Sequence, residues 1–166
     1  MNQYERVNHL FEPVYNKESK ILILGTFPSV KSRENQFYYG HPRNRFWEII
    51  ALVTGEDKPD TIGKKQKLLQ KHYIAIWDVI QSCDIVGSSD SSIKNVVPSD
   101  INKILKDSQI KRIYGNGGKA YQLYNKYAYH KTNMEMTVLP STSPANAAYS
   151  ITKLMEQWKQ IREYLN

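Results

Sequence analysis

KILILGT, residues 20 to 26, is a short apolar run closed by Gly25 and, just beyond, Pro28. A continuous apolar run of this length reads as a strand buried on both faces and leading into a loop. A helix follows it. From Arg43 to Thr54, the residues Phe46, Trp47, Ile50 and Val53 recur at helical spacing, and Gly55 follows the end. The theme then repeats. Residues 61–71 predict a lysine-rich helix leading into HYIAIWDVI, residues 72–80, as a second strand. QSCDIVGSSDSSIKNVVPSD, residues 81–100, is a long polar stretch ending at Asp100, an N-cap for a short helix that holds Ile101, Ile104 and Leu105. KRIYGNGG (111–118) reads as strand and glycine turn, and residues 118–129 as a tyrosine-rich helix. MEMTVLPS (134–141) is a fourth strand, and residues 145–165 form a last helix with Leu154, Trp158, Ile161 and Leu165 on one face. Strands alternating with helices predict an α/β fold: a mostly parallel four-stranded sheet covered on both sides, with loops at the strand C-terminal ends as the default place for a site.

The chain has 166 residues, of which 40% are apolar, enough for one domain spanning residues 1–166. Cys83, the lone cysteine, excludes an internal disulfide and any multi-cysteine metal site, and points to a reducing, cytoplasmic compartment. His9, His41, His72 and His130 show no metal-ligand spacing, so no metal is expected. GNGGK at residues 115–119 has glycines without the phosphate-loop spacing, and no GxSxG elbow marks a nucleophilic serine. No stretch approaches the roughly 20 apolar residues of a membrane span, and the polar N-terminal residues do not form an export signal.

The net charge of +7 suits a polyanionic partner. Lys64, Lys65, Lys67 and Lys71 form one cationic run, and Lys111, Arg112, Lys119, Lys126 and Lys131 fall in another, whereas residues 136–152 carry no charged side chain. Three loops stand out, one of them WDVIQSCDIVGSSDSSIKN, residues 77–95, which is rich in Ser, Asp and Asn and offers hydrogen bonds without a strong nucleophile. GTFPSVKSRENQFYYGHPRNRFW, residues 25–47, interleaves six aromatic rings with four basic residues, a composition that stacks on bases and holds phosphates. LPSTSPANA, residues 139–147, is a stiff, uncharged protrusion with two prolines.

Taken together, ILILGTFPSV, YYGHPRNRFW, WDVIQSC and LPSTSPANA resemble the hypoxanthine-DNA glycosylase branch of the uracil-DNA glycosylase superfamily, over about residues 20–160. The resemblance implies a three-layer α/β/α fold around a short parallel sheet, without metal or organic cofactor. It implies an enzyme of base excision repair that binds DNA containing deaminated bases, flips out hypoxanthine first and uracil or xanthine second, and hydrolyses the N-glycosidic bond. A monomer is expected.

By the same resemblance, Tyr39 takes the place of the aromatic that stacks on the base, and Gly25, Thr26, Phe27, Pro28 and His41 shape the base pocket. Ser141, Thr142, Ser143, Pro144 and Asn146, in the proline loop, are placed to grip DNA. Two positions depart from the family. Phe27 stands where related enzymes of the GINPG type carry a water-positioning Asn, and Leu139 where the uracil enzymes carry a His. The nearest replacement is Asn44, an amide that can donate to the base and hold a water, and it is the candidate catalytic residue. No lysine is assigned as a nucleophile, so a monofunctional enzyme leaving an abasic site is expected. Asp78 and Cys83 read as structural, Asn116 as a turn residue, and Trp77 and Trp158 as core. The rival is a catalytically silent nucleic-acid-binding module. A nucleoside hydrolase would need neither the cationic runs nor the proline loop.

Overall fold

The computed structural model describes residues 3–165; Met1, Asn2 and Asn166, which the expected domain also spans, lie outside the described residues. Four strands, β2 (Ile21–Gly25), β3 (Ile74–Asp78), β6 (Arg112–Asn116) and β7 (Met136–Leu139), form a wholly parallel sheet in the order β3-β2-β6-β7. Ile21, Leu22, Ile23 and Leu24 have no exposed surface. A strand covered on both faces has no polar side to alternate with, which is why KILILGT is apolar throughout.

Helices cover the sheet in the expected three layers. The helix α2 (Phe46–Thr54) buries Phe46, Trp47, Ile49, Ile50 and Val53, and packs on α7 (Ile151–Trp158) and the 3-10 segment Lys159–Tyr164 that extends it. Each buried apolar side chain of this size contributes about 1.5–3 kcal/mol. The helix α3 (Ile62–Lys71), capped by the Thr61 side chain, leans on β3, and α5 (Gly118–Tyr127) covers β6 and β7. The short helices α1 (Val30–Asn35), α4 (Ile101–Lys106) and α6 (Tyr129–Thr132) complete the set.

Several boundaries differ from expectation. The helix predicted from Arg43 begins at Phe46, because the Asn44 side chain accepts the Phe46 N–H and holds HPRN as a turn. The Asp100 side chain makes no capping bond to α4. The tyrosine-rich helix divides at Ala128 into α5 and α6. The last helix starts at Ser150, its side chain capping Lys153 N–H, since residues 143–149 are held in turns by Asn146 N–H to Ser143 O and Tyr149 N–H to Asn146 O.

The largest difference lies in the polar stretch. The chain leaves β3 at Asp78 and continues into β4 (Ile80–Ile85), which pairs antiparallel with β1 (Glu5–Asn8) and β5 (Lys94–Pro98) in a second, three-stranded sheet. These strands carry mixed polar residues and two register irregularities, and β1 meets its partner across more than 70 residues of chain. Such half-solvated strands lack the apolar period that betrays β2. Ser92 and Asn95 serve this unit: Ser92 Oγ accepts Val86 N–H, and Asn95 bonds Asp84.

Candidate active site

All four parallel strands end on one edge, at Gly25, Asp78, Asn116 and Leu139, and the loops leaving them enclose a cavity of about 320 Å³. Sequence reading places Gly25, Thr26, Phe27, Pro28, Tyr39, His41, Asn44, Ser141, Ser143 and Pro144 at the site, and all ten line this cavity. Leu139 does not line it and is buried in the core. Phe27 does both, standing in the core cluster with one side toward the cavity. His41 is exposed at the rim, where Nδ1 accepts Arg43 N–H.

Asn44 is held by its oxygen. Oδ1 accepts from Phe46 N–H at 2.9 Å and from the Thr142 hydroxyl at 2.8 Å. A backbone N–H can only donate, so the atom facing Phe46 must be the amide oxygen and the NH2 group must point away. The Nδ2 hydrogens have no partner among the described residues, which leaves them as the donors Asn44 brings to the cavity.

Tyr39 is fixed from its other side. Its ring stacks on Phe46 with centroids 3.9 Å apart, and its backbone is left-handed at φ 53°, a strained choice for an aromatic residue. One face is therefore covered, and the ring lines the cavity. Its hydroxyl is buried without a hydrogen-bond partner, and burial first, then the Asp78 charge, pushes its pKa far above the usual phenol range. Tyr38 shifts in the same direction for the same leading cause, while its hydroxyl donates to Glu12 O at 2.8 Å. Neither phenol titrates near neutrality.

The proline loop is built on buried polar contacts. Thr142 is a correction: it is fully buried, its hydroxyl donates to Asn44 and accepts from Asn116 Nδ2 at 3.0 Å, and its N–H donates to Asn116 Oδ1 at 3.0 Å. It ties the loop to β6 and has no free group for a phosphate. Asn146 also lies off the main cavity, in an adjoining hollow that it shares with Lys119, and its amide donates to Ser141 O. Arg45 carries the loop. Its guanidinium donates to the carbonyls of Ser143 and Asn146, each at 3.0 Å, and of Tyr149. Hydrogen bonds from a charged donor contribute about 1.5–3 kcal/mol each. Arg45→Ala is expected to lower stability by about 2 kcal/mol or more and to loosen residues 143–149, seen as a reduced melting temperature and faster amide exchange in that loop.

Three residues were hidden from sequence reading. Asp78, read as structural, is 5% exposed at the cavity floor. Asn116, read as a turn residue, presents its side chain to the cavity and to Thr142. Asp90 stands exposed at the rim, where partial desolvation comes first in pushing its carboxyl up to about 6; the Asp78 charge adds to this and Lys119 opposes it. Cys83 keeps its structural reading, a buried thiol pushed up to about 11 by burial.

The cationic run on α3 does not line the cavity. Lys64 pairs with Asp60 at 3.0 Å, Lys71 with Glu56 at 2.6 Å, and Lys65 lies over the Trp47 ring. The uncharged segment 136–152, by contrast, supplies one wall. Among the described residues no helix is long and apolar enough to cross a membrane.

Residues 12–166 match the family model described as the uracil DNA glycosylase superfamily. A hypoxanthine DNA glycosylase of Methanosarcina acetivorans is 34% identical over 154 residues, covering 91% of this chain and 95% of the relative. One of Methanosarcina barkeri is 34% identical over 142 residues, covering 82% and 86%. The solution NMR structure of a candidate uracil DNA glycosylase from Methanosarcina acetivorans superposes with a TM-score of 0.80 at 33% identity, covering 93% of this chain and 96% of that one. A parallel sheet whose strand ends frame one cavity, and a match running almost the length of both partners, place the chain in the uracil DNA glycosylase superfamily.

Proposed function

We propose that the chain is a monofunctional DNA glycosylase, acting as a monomer in the cytoplasm, that releases hypoxanthine from DNA, with uracil and xanthine as secondary bases. The observation that carries this reading is the Asn44 amide, pinned by its oxygen so that its NH2 is the end left for a ligand in a cavity floored by Asp78 and walled by the one-sided Tyr39 ring. The relatives named hypoxanthine DNA glycosylase support the choice of base.

Flipping a base from the duplex costs a few kcal/mol, which stacking on the open face of Tyr39 offsets. As the C1′–N bond breaks, its electron pair goes to the departing base and positive charge develops on the sugar. The Asn44 NH2 then donates to the base as it becomes anionic, a contact stronger in the transition state than before it. Water forms the new C1′–O bond, and its proton balances the negative charge on the base. No lysine lines the cavity among the described residues, in keeping with hydrolysis rather than an imine with the sugar.

Oligonucleotides holding hypoxanthine, uracil, xanthine or only normal bases test this reading. Alkali-labile abasic sites are expected with hypoxanthine above all, and without strand breaks before alkali. Retention of every base would leave the silent DNA-binding module in its place. The rim carboxyl makes a second prediction. With its carboxyl pushed up to about 6, Asp90 repels phosphate less as it takes up a proton, so DNA affinity is expected to rise as pH falls through that value. In Asp90→Asn, titrated by fluorescence anisotropy over the same range, that inflection is expected to disappear.

A further inference from the structure

The floor of the cavity holds a buried pair. His9 Nε2 lies 2.8 Å from Asp78 Oδ2, the His side chain has no exposed surface, and the Asp side chain has 5%. A carboxylate oxygen only accepts, so Nε2 carries the proton. The other ring nitrogen, Nδ1, is buried without a partner, and the imidazole ring lies among Phe11, Tyr38 and Phe27 at centroid separations of 4.5, 5.7 and 6.1 Å. Nothing else competes for this imidazole, and its one polar task is to hold Oδ2.

His9 follows directly on β1, and its backbone is locked to β4 by His9 N–H to Gln81 O at 2.7 Å and by Gln81 Nε2 to His9 O at 3.2 Å. The second sheet therefore delivers a histidine under the site from a residue that precedes the family match, which begins at residue 12. Asp78 Oδ1, in contrast, has no hydrogen-bond partner among the described residues. It lies beside Gly25, where a Cβ would come within 2.5 Å of it, at the deep end of the cavity.

We propose that Asp78, oriented by His9, is the group that distinguishes hypoxanthine from adenine and uracil from cytosine. Hypoxanthine and xanthine carry N–H at N1, and uracil carries it at N3, whereas adenine N1 and cytosine N3 present a lone pair at the same place. A fixed carboxylate oxygen accepts from the first set and repels the second. His9 matters because it decides which Asp78 oxygen is spent and which faces the base; it is a positioning residue. Guanine shares the N1–H, so Asp78 does not reject guanine. This inference rests on the proposed glycosylase reading.

The same geometry makes an amide at this position informative. In Asp78→Asn, a proton on His9 Nδ1 would find no acceptor, so it stays on Nε2 and faces the amide oxygen, which turns the NH2 into the cavity as a donor, complementary to adenine N1 and not to hypoxanthine. Single-turnover release of hypoxanthine and adenine, from oligonucleotides differing only in that base, is compared in wild type, Asp78→Asn, His9→Phe and the double variant, with folding followed by circular dichroism. Wild type is expected to release hypoxanthine and retain adenine. Asp78→Asn is expected to lose about 100-fold or more on hypoxanthine, as a site does when its buried polar group meets the wrong partner, with the hypoxanthine-to-adenine ratio falling at least as far. Adding His9→Phe frees the amide to turn, and the ratio climbs back.

An unchanged ratio in folded Asp78→Asn, or adenine release by wild type, overturns the inference, while a wild type that releases no base overturns the glycosylase reading instead. A double variant whose ratio stays at the Asp78→Asn value overturns the positioning role. If Asp78→Asn does not fold, His9→Gln and His9→Phe decide the matter. Gln keeps an N–H donor and is expected to recover part of the hypoxanthine rate that Phe, about tenfold down, loses; equal activity of the two overturns the role of His9.

Discussion

Asn44→Asp is expected to fold as the wild type does and to release hypoxanthine about 10²–10³-fold more slowly, the usual cost of removing one donor from a developing anion. The carboxylate keeps an oxygen for Phe46 N–H and for the Thr142 hydroxyl, so the turn before α2 and the anchor of the proline loop survive. What it loses is the NH2. Asn44→Ala removes both functions, leaving the buried Thr142 hydroxyl and the Phe46 N–H without their acceptor, at a combined cost of about 2–3 kcal/mol. It is expected to be equally slow and also less stable. Single-turnover assays with the DNA fully bound separate the chemical step from binding, and thermal melts separate both from folding. A folded Asn44→Asp with wild-type rates would remove Asn44 from the reaction.

Gly25→Ala is the second large effect. A Cβ at this position would lie 2.5 Å from Asp78 Oδ1 and 3.0 Å from the Tyr39 hydroxyl. Neither group can step aside cheaply, since Asp78 is held by His9 and the Tyr39 ring is stacked on Phe46. The backbone cannot yield either, because β2 is paired on both sides, with Gly25 opposite Asp78 and Leu24 opposite Gly115. Overpacking of this kind costs about 1–3 kcal/mol. Base release is expected to fall about 100-fold, because displacing a positioned group by an ångström is enough to do so. DNA affinity is expected to change far less, and anisotropy against single-turnover rates reads the difference. A variant with intact release would mean that the cavity floor is softer than its hydrogen bonds imply.

Local grammar was sufficient for the parts of the fold that are buried on every side. KILILGT, the Phe46–Val53 face and the Leu154–Trp158–Ile161 face each announce themselves because complete burial leaves no room for polar residues. The loops at the strand ends were legible for a different reason: GHPRN and LPSTSPANA concentrate amides, hydroxyls and prolines between the core segments. Ten of the twelve residues read as site line the cavity, whereas Thr142 and Asn146 serve the loop around it.

The polar strands β1, β4 and β5 left no such mark, and with them went the meaning of His9. A histidine nine residues from the start of the chain, in a polar segment, has no local feature that separates it from His72, which bonds Glu56 on the far side of α3. Arg45 was hidden in the same way. In the sequence it is one more cation of the aromatic loop, and only the return of residues 143–149 gives its guanidinium three carbonyls to bind.

What the amino-acid order alone determined was the parallel α/β frame and the loops whose residues, Asn44 among them, line the cavity, both written in neighbours along the chain. What only the tertiary structure decided was direction. Which end of the Asn44 amide faces the cavity depends on Phe46 and Thr142, and which oxygen of Asp78 is free depends on a histidine 69 residues away. A side chain's chemistry is local, but the lone pairs and protons it has left for a ligand are those its distant neighbours have not already taken.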